Sequence, residues 1–243
     1  MEAMLRVQAP FAAFRQLQAG AYQTTSPTIP PSAAWGLVLN CAAIETRDAT
    51  SHPITLRRAD APRFQVAIGE LGQPQVASLY QQLHGYPVGN AGKKFAAKSQ
   101  GSKYWIKPVR REVLINLDLV IAVRELSDDV AVRIGQGLSG KLPRYGLPFL
   151  GDNNFLIDRI EFLREPLAAR WFCQVDEAST TQPPSMPPDV KQSNARDTSR
   201  LTIDIDRKDS ARNTSYIYER MSEPVDNPPK AAWTWVPGQA VVK

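Results

Sequence analysis

Apolar and polar side chains alternate from Met4 to Gln8, as in a strand with one buried face, and Pro10 closes that alternation. From Phe11 to Pro31 no period survives. Aromatics, Arg15, Gly20 and the run Thr24-Thr25-Ser26-Pro27-Thr28-Ile29-Pro30-Pro31 read there as turns and extended chain. Ser32 then stands in a capping position ahead of Ala33-Ala34-Trp35, and Leu37, Val38, Cys41 and Ile44 supply the apolar face of a helix. Short strands are expected at Ile54 to Leu56 and Phe64 to Ile68, separated by the turn-like Ala59-Asp60-Ala61-Pro62.

The clearest strand pattern is Val113 to Arg124, and Ser127-Asp128-Asp129 follows it with a cap and two first-turn acids, predicting a helix from Asp128 towards Leu138. Gly140 to Gly151 holds too much Gly and Pro for a regular element, while Phe155 to Phe162 can return to the sheet. Asp176 to Arg200 is polar, with four prolines between Gln182 and Pro188, and reads as an excursion between packed elements. Strand patterns resume at Leu201 to Asp206 and Ser215 to Tyr218, and Ala231 to Val236 either rejoins the core or docks on a neighbour. There is no internal repeat. The pattern predicts an α+β chain built on a sheet.

Composition narrows the function classes. The 243 residues carry 29 Lys and Arg against 24 Asp and Glu, a formal net charge of +5, so any nucleic-acid surface has to be local. Cys41 and Cys173 lie among apolar neighbours and read as reduced, buried thiols. Two cysteines and two separated histidines, His52 and His84, exclude the usual structural zinc patterns, and Asp118, Asp152 and Asp158 have no defined magnesium spacing. The N-terminus has no signal-peptide pattern and no stretch reaches ~18 apolar residues, so the expected location is the cytoplasm, without a membrane partner. Gly135-Gln-Gly137 falls at the end of a predicted helix, opposite to the strand-to-helix opening of a dinucleotide fingerprint, and no cofactor is expected.

Charge is concentrated between Lys93 and Arg111: seven cations (Lys93, Lys94, Lys98, Lys103, Lys107, Arg110, Arg111) and no acid. Lysines along a projecting segment hold phosphates, and Tyr104 or Trp105 can stack on an unpaired base, a combination suited to single-stranded RNA. Flanking Gly89, Gly92, Gly101 and Pro108 fit a β-hairpin or clasp; the competing reading is a solvated excursion with Trp105 packed on the body. Arg15, Tyr22 and Ser32 surround the first loop and can meet a phosphate or a folded strand, although turn formation and helix capping also account for them.

Three stretches taken in order, Ala9-Pro10-Phe11-Ala12-Ala13-Phe14-Arg15, Pro30-Pro31-Ser32-Ala33-Ala34-Trp35-Gly36-Leu37 and Tyr145-Gly146-Leu147-Pro148-Phe149-Leu150-Gly151, resemble the CRISPR-associated Cas-five family of the repeat-associated RNA-binding superfamily. The resemblance covers most of residues 4 to 162. It implies a ferredoxin-like or RNA-recognition-type core over residues 1–175 with a projecting basic insertion at about 86–111, a mobile polar loop at 176–200 and a variable C-terminal part at 201–243. It further implies a non-catalytic Cascade subunit that caps the 5′ handle of the crRNA, joins the backbone subunit to the large subunit and lies near the protospacer-adjacent motif of the target DNA. On this resemblance the RNA-binding residues are Arg15, Tyr22 and Ser32 in the first loop, Lys93, Lys94, Lys98, Lys103, Tyr104, Trp105 and Lys107 in the projecting segment, and Arg144 and Tyr145 in the glycine-bearing loop. Some relatives cleave precursor crRNA with a tyrosine, lysine and histidine group; here Pro108, not histidine, follows Lys107. An endoribonuclease and a structural adaptor without RNA contact are the alternatives.

Overall fold

The computed structural model describes residues 2–19, 21–48, 56–85, 105–175, 198–207 and 213–238. Its elements are β1 (Glu2–Ala12), β2 (Arg15–Ala19), β3 (Tyr22–Thr25), α1 (Pro31–Cys41), β4 (Phe64–Gly72), β5 (Gln75–Gly85), β6 (Trp105–Arg124), α2 (Asp128–Leu138), β7 (Arg159–Phe162), β8 (Arg170–Gln174), β9 (Thr198–Ile205), β10 (Asn213–Arg220), a 3₁₀ turn (Lys230–Ala232) and β11 (Thr234–Val236). They form an α+β fold with a mixed, curled sheet.

Four strands organise it. β1 pairs antiparallel with β6 on one side and β7 on the other, and β6 pairs antiparallel with β4, giving the order β7-β1-β6-β4. α1 connects β1 to β4 and α2 connects β6 to β7, an arrangement consistent with a ferredoxin-like core. Both helices lie on one face, where Leu5, Val7, Phe64, Val66, Leu119 and Ile121 pack against Val38 and Ile134. The helices approach closely because Gly137 has no side chain: a Cβ there would fall 1.7 Å from the Cys41 carbonyl oxygen. Arg133 donates to the Ala42 and Ala43 carbonyls at the C-terminal end of α1, where free acceptors and the helix dipole favour a cation.

The opposite face is covered in part by the C-terminal elements. Met4, Ala67, Val120 and Ala122 are buried beneath Ala169, Trp171, Ala232 and Trp233. Gly69 makes room for this layer, since a Cβ on it would lie 2.9 Å from the Trp171 ring. β8 and β11 pair with successive parts of β4, and β10 and β9 extend the sheet from β8. Thus Ala231 to Val236 returns to the core. Leu201, Ile203 and Tyr218 from β9 and β10 join the helix-side core, and burial lifts the Tyr218 phenol to about 12 despite its hydrogen bond with Thr234.

Proline did not end the first strand: β1 runs through Pro10 to Ala12. Proline is accommodated because the ladder with β6 skips it, pairing Ala9 with Leu117 and Phe11 with Ile115. Opposite that gap Asn116 has φ 58°, a left-handed conformation that Asn tolerates better than most residues, and β4 gives way to β5 through a register shift near Gly72. The side-chain alternation of β6 inverts there, so that Leu117 and Leu114 share the helix-side core while Val113 packs with Ala13 and Phe155. Beyond this bend β5 and β6 continue as a long hairpin, from Gln75 opposite Ile115 to Gly85 opposite Trp105.

The segment read as turns and extended chain, 11–31, contains the β2–β3 hairpin. Ser32 is not the cap expected for α1: the helix begins at Pro31, with Pro30 as its N-cap and no side-chain capping bond. Proline at the first helical position needs no N–H partner and sets φ for the helix, which moves the start two residues upstream. Ser127 does cap α2, accepting from the Val130 N–H at 3.4 Å. Both cysteines are free thiols, Cys41 buried and Cys173 half-buried. No helix among the described residues is long and apolar enough to cross a membrane.

Candidate nucleic-acid interface

Arg15 and Ser32, assigned together from the sequence, line one groove with a volume of about 510 Å³. Arg15 opens β2 immediately after the buried Ala13–Phe14 corner, and Ser32 occupies the first turn of α1. The corner is fixed from both sides: the Phe14 N–H donates to Thr25 Oγ1 at 2.9 Å, the Ser26 N–H to the Phe14 carbonyl at 2.8 Å and the Ala13 N–H to the Leu150 carbonyl at 3.2 Å. Gly151, at φ 81°, presses against this corner, since a Cβ would lie 1.9 Å from the Ala13 carbonyl oxygen. The glycine-bearing loop therefore shapes the groove through its backbone.

Arg47, Arg57 and Arg207 complete the wall. Arg47 and Arg57 are partners in an isolated antiparallel bridge, held by the Asp48 N–H on the Leu56 carbonyl at 2.8 Å and the Arg58 N–H on the Thr46 carbonyl at 2.9 Å. Arg207 lies two residues beyond the end of β9. Arg47 is steadied by a bidentate pair with Glu45, at 2.8 and 2.7 Å, whose carboxyl is consequently held below its ordinary pKa. Arg57 pairs with Asp204. Arg15 and Arg207 have no ion-pair partner among the described residues. Four arginines thus line the groove against one aspartate. With Arg47 and Arg57 paired and Arg15 and Arg207 uncompensated, the concavity attracts anions.

Tyr145 stands beside the groove with its ring 5.4 Å from the Arg47 guanidinium carbon, and burial raises its phenol pKa. Arg144 turns elsewhere: its guanidinium donates to the Gly137 carbonyl at 3.2 Å, at the C-terminal end of α2. Tyr22 lies further along β3, where its hydroxyl donates to Glu112 at 2.5 Å; that bond raises the phenol above its usual range. Arg110 and Arg111 diverge. Arg111 pairs with Asp152 and lies over the Phe155 ring, whereas Arg110 is exposed beside Tyr22. Lys93, Lys94, Lys98, Lys103 and Tyr104 lie outside the described residues, and Trp105 and Lys107 enter only as residues at the start of β6.

Sequence reasoning missed Arg47, Arg57 and Arg207, which lie outside the basic run from Lys93 to Arg111. A larger hollow, of about 720 Å³, opens between Gln73, Arg170 and Glu219–Ser222. Its cations are committed, Arg170 to the Ser222 carbonyl and Arg220 to Glu70, so the smaller groove is the better anion site. No cluster of three His, Cys, Asp or Glu suited to a metal occurs among the described residues.

Fold and groove define an α+β chain with a CRISPR-associated protein fold and an arginine-lined concavity. The likeness is to a chain described as "CRISPR RNA-guided surveillance complex", with a TM-score of 0.50 and 13% identity over 96% of this chain and 96% of that one. A "Crystal structure of Cas protein" aligns over 94% of this chain and 100% of its own at TM-score 0.45 and 10% identity, and a "Crystal Structure of CRISPR-associated Protein" over 67% and 66% at 0.39 and 11%. No protein-family model and no curated protein matches the sequence.

Proposed function

We propose that this protein is the Cascade subunit that caps the 5′ handle of the guide RNA, using a ferredoxin-like core as the frame and the Arg15–Arg207 groove as the phosphate clamp. The observation that carries this reading is the convergence of Arg15, Arg47, Arg57 and Arg207 with the Ser32 hydroxyl in one groove. Arginine forks suit phosphate oxygens, and the N-terminal end of α1 adds a favourable dipole. At about 510 Å³ the groove has the scale of a small-ligand cleft, roughly 300–1,000 Å³. That scale fits a nucleotide or two of a single strand, and not a duplex.

The role is binding without cleavage. Among the described residues the groove contains arginines, hydroxyls, apolar side chains and one carboxylate that is paired with Arg57, with no group placed there as a general base. Leu147 (73% exposed), Phe149 and Leu156 form an apolar outer surface on the glycine-bearing loop, where the backbone or large subunit can dock. The target DNA near the protospacer-adjacent motif then meets the same assembly.

The test is co-expression with the other subunits of a Cascade complex and a repeat–spacer transcript, followed by mapping of RNA–protein crosslinks on the purified complex. Handle crosslinks to peptides bearing Arg15, Arg47 or Arg207 are expected. An assembled, RNA-loaded complex with no crosslink to this chain overturns the capping role and favours the adaptor.

A further inference from the structure

Tyr80 has an exposed aromatic side chain on a regular strand, 70% accessible, in a part of the chain that the basic-segment reading passed over. It lies in β5 directly opposite Arg110 of β6, and Arg110 is in turn registered with Tyr22 of β3 on its other side. Directly paired residues share a face of the sheet, with Cβ atoms about 4.5–5.5 Å apart across an antiparallel pair. Arg110 is therefore flanked in register by Tyr80 on one side and Tyr22 on the other.

The three differ in what already occupies them. Tyr22 is tied to Glu112, which also accepts from the Thr25 N–H at 3.2 Å. That carboxylate is thereby directed at β3. Arg110 makes no ion pair and no side-chain hydrogen bond among the described residues, and Tyr80 likewise has no partner there. The opposite face of the same hairpin is occupied in part, with Arg111 on Asp152 and Phe155 and Val113 buried with Ala13 and Phe155, while Leu79, opposite Arg111, is 37% exposed.

We propose that Tyr80 and Arg110 form a base-stacking site for an unpaired nucleobase of single-stranded RNA, separate from the arginine groove and reached along β3. A flat ring with a neighbouring cation suits a base and its phosphate. Ser78 and Gln82, the nearest neighbours of Tyr80 on that face, are exposed, polar and uncharged, and the exposed apolar Val76 and Pro108 lie further along it. Charge favours a nucleic acid, because the sequence joining β5 to β6 carries four lysines and no acid. Position supports continuity with the groove. Arg15 pairs with Thr25, three residues from Tyr22 on β3, a span of about 10 Å at ~3.3 Å per residue. One strand can pass from clamp to platform.

The inference rests on the reading of the protein as an RNA binder, and the experiment separates the two. Binding of a fluorescein-labelled 20-nucleotide oligouridine and of its duplex with oligoadenosine is measured for the full chain and for Tyr80→Phe, Tyr80→Leu and Arg15→Gln. Tyr80→Leu should weaken single-strand binding roughly 5- to 150-fold, the range of one base stack, with the salt dependence unchanged; Tyr80→Phe should bind as the parent does. Tyr80 is exposed, and unchanged thermal melts certify the folding of the variants. Parental affinity in Tyr80→Leu, or an equal loss on the duplex, overturns the platform while an Arg15→Gln defect preserves the groove. Failure of the parent to bind any single strand overturns both.

Discussion

The groove can be tested through the salt dependence of binding. Arg15 and Arg207 are suitable positions because neither has an ion-pair partner among the described residues, so replacing them by Gln removes positive charge without exposing a buried acid. Each phosphate neutralised on a single strand contributes about 0.7 to the slope of log K against log salt, so the double variant should lose about 1.4 from that slope. Over a fourfold rise in salt, the parent should lose about sevenfold more affinity than the variant does. Fluorescence anisotropy with a labelled single-stranded RNA, repeated at four or five salt concentrations, measures the slope directly. Arg57→Gln is the internal comparison, since it deletes a cation and also leaves Asp204 facing the groove unpaired. It should therefore weaken binding more than Arg15→Gln alone. An unchanged slope in the Arg15→Gln, Arg207→Gln double variant refutes phosphate contact at this groove, even if affinity falls.

Gly137→Ala should lower Tm by several degrees. Its Cβ would sit 1.7 Å from the Cys41 carbonyl oxygen, and overpacking of about 1–3 kcal/mol or more outweighs the ~1 kcal/mol gained in helix propensity; an unchanged or higher Tm in a thermal melt would contradict the close helix approach. Burial raises the Cys41 thiol from 9.0 to about 11. The unfolded chain ionises first, so this stabilisation is complete below pH 9 and is lost as pH rises towards 11. Cys41→Ala should flatten that part of an alkaline denaturation curve, and an identical curve would show that the thiol is not buried as described. Leu147→Asp with Phe149→Asp should abolish co-purification with partner subunits while leaving RNA affinity of the isolated chain intact; retained co-purification excludes this loop as the docking surface.

The parts of this molecule legible in the sequence are those whose information is local. Val113–Arg124 and Ser127–Leu138 follow from a β-rich apolar run and a cap with its acids, and β6 and α2 are found there. Pro10 misled because a lone proline signals strand termination, whereas the register on β6 skips it opposite the left-handed Asn116. That compensation lies more than a hundred residues away in the chain. β5 was missed because Ser78, Tyr80 and Gln82 on its open face carry little hydrophobic signal. The groove was half legible: Arg15 and Ser32 flank a run of turn residues, but Arg47 and Arg57 meet across an isolated bridge and Arg207 joins them only when β9 packs against α1.

This non-local assembly follows from how the sheet is used. An RNA-recognition domain presents bases with the open face of its sheet, where aromatic side chains stack on them. Here part of that face is sealed, with Trp171 and Trp233 lying over Met4, Ala67, Val120 and Ala122. Trp171 donates its indole N–H to the Val225 carbonyl at 2.9 Å, and Arg124 lies 4.2 Å from the Trp233 ring centroid, so these aromatic groups have partners within the fold. Anion-binding groups must then come from the helix side, the strand ends and the hairpin beyond the bend, where Arg15, Arg57, Arg207 and Arg110 are found. Covering the sheet with its own C-terminal strands moves the proposed RNA path off the face and onto the edge of the domain, the position a cap needs if the strand is to continue past it to a neighbouring subunit.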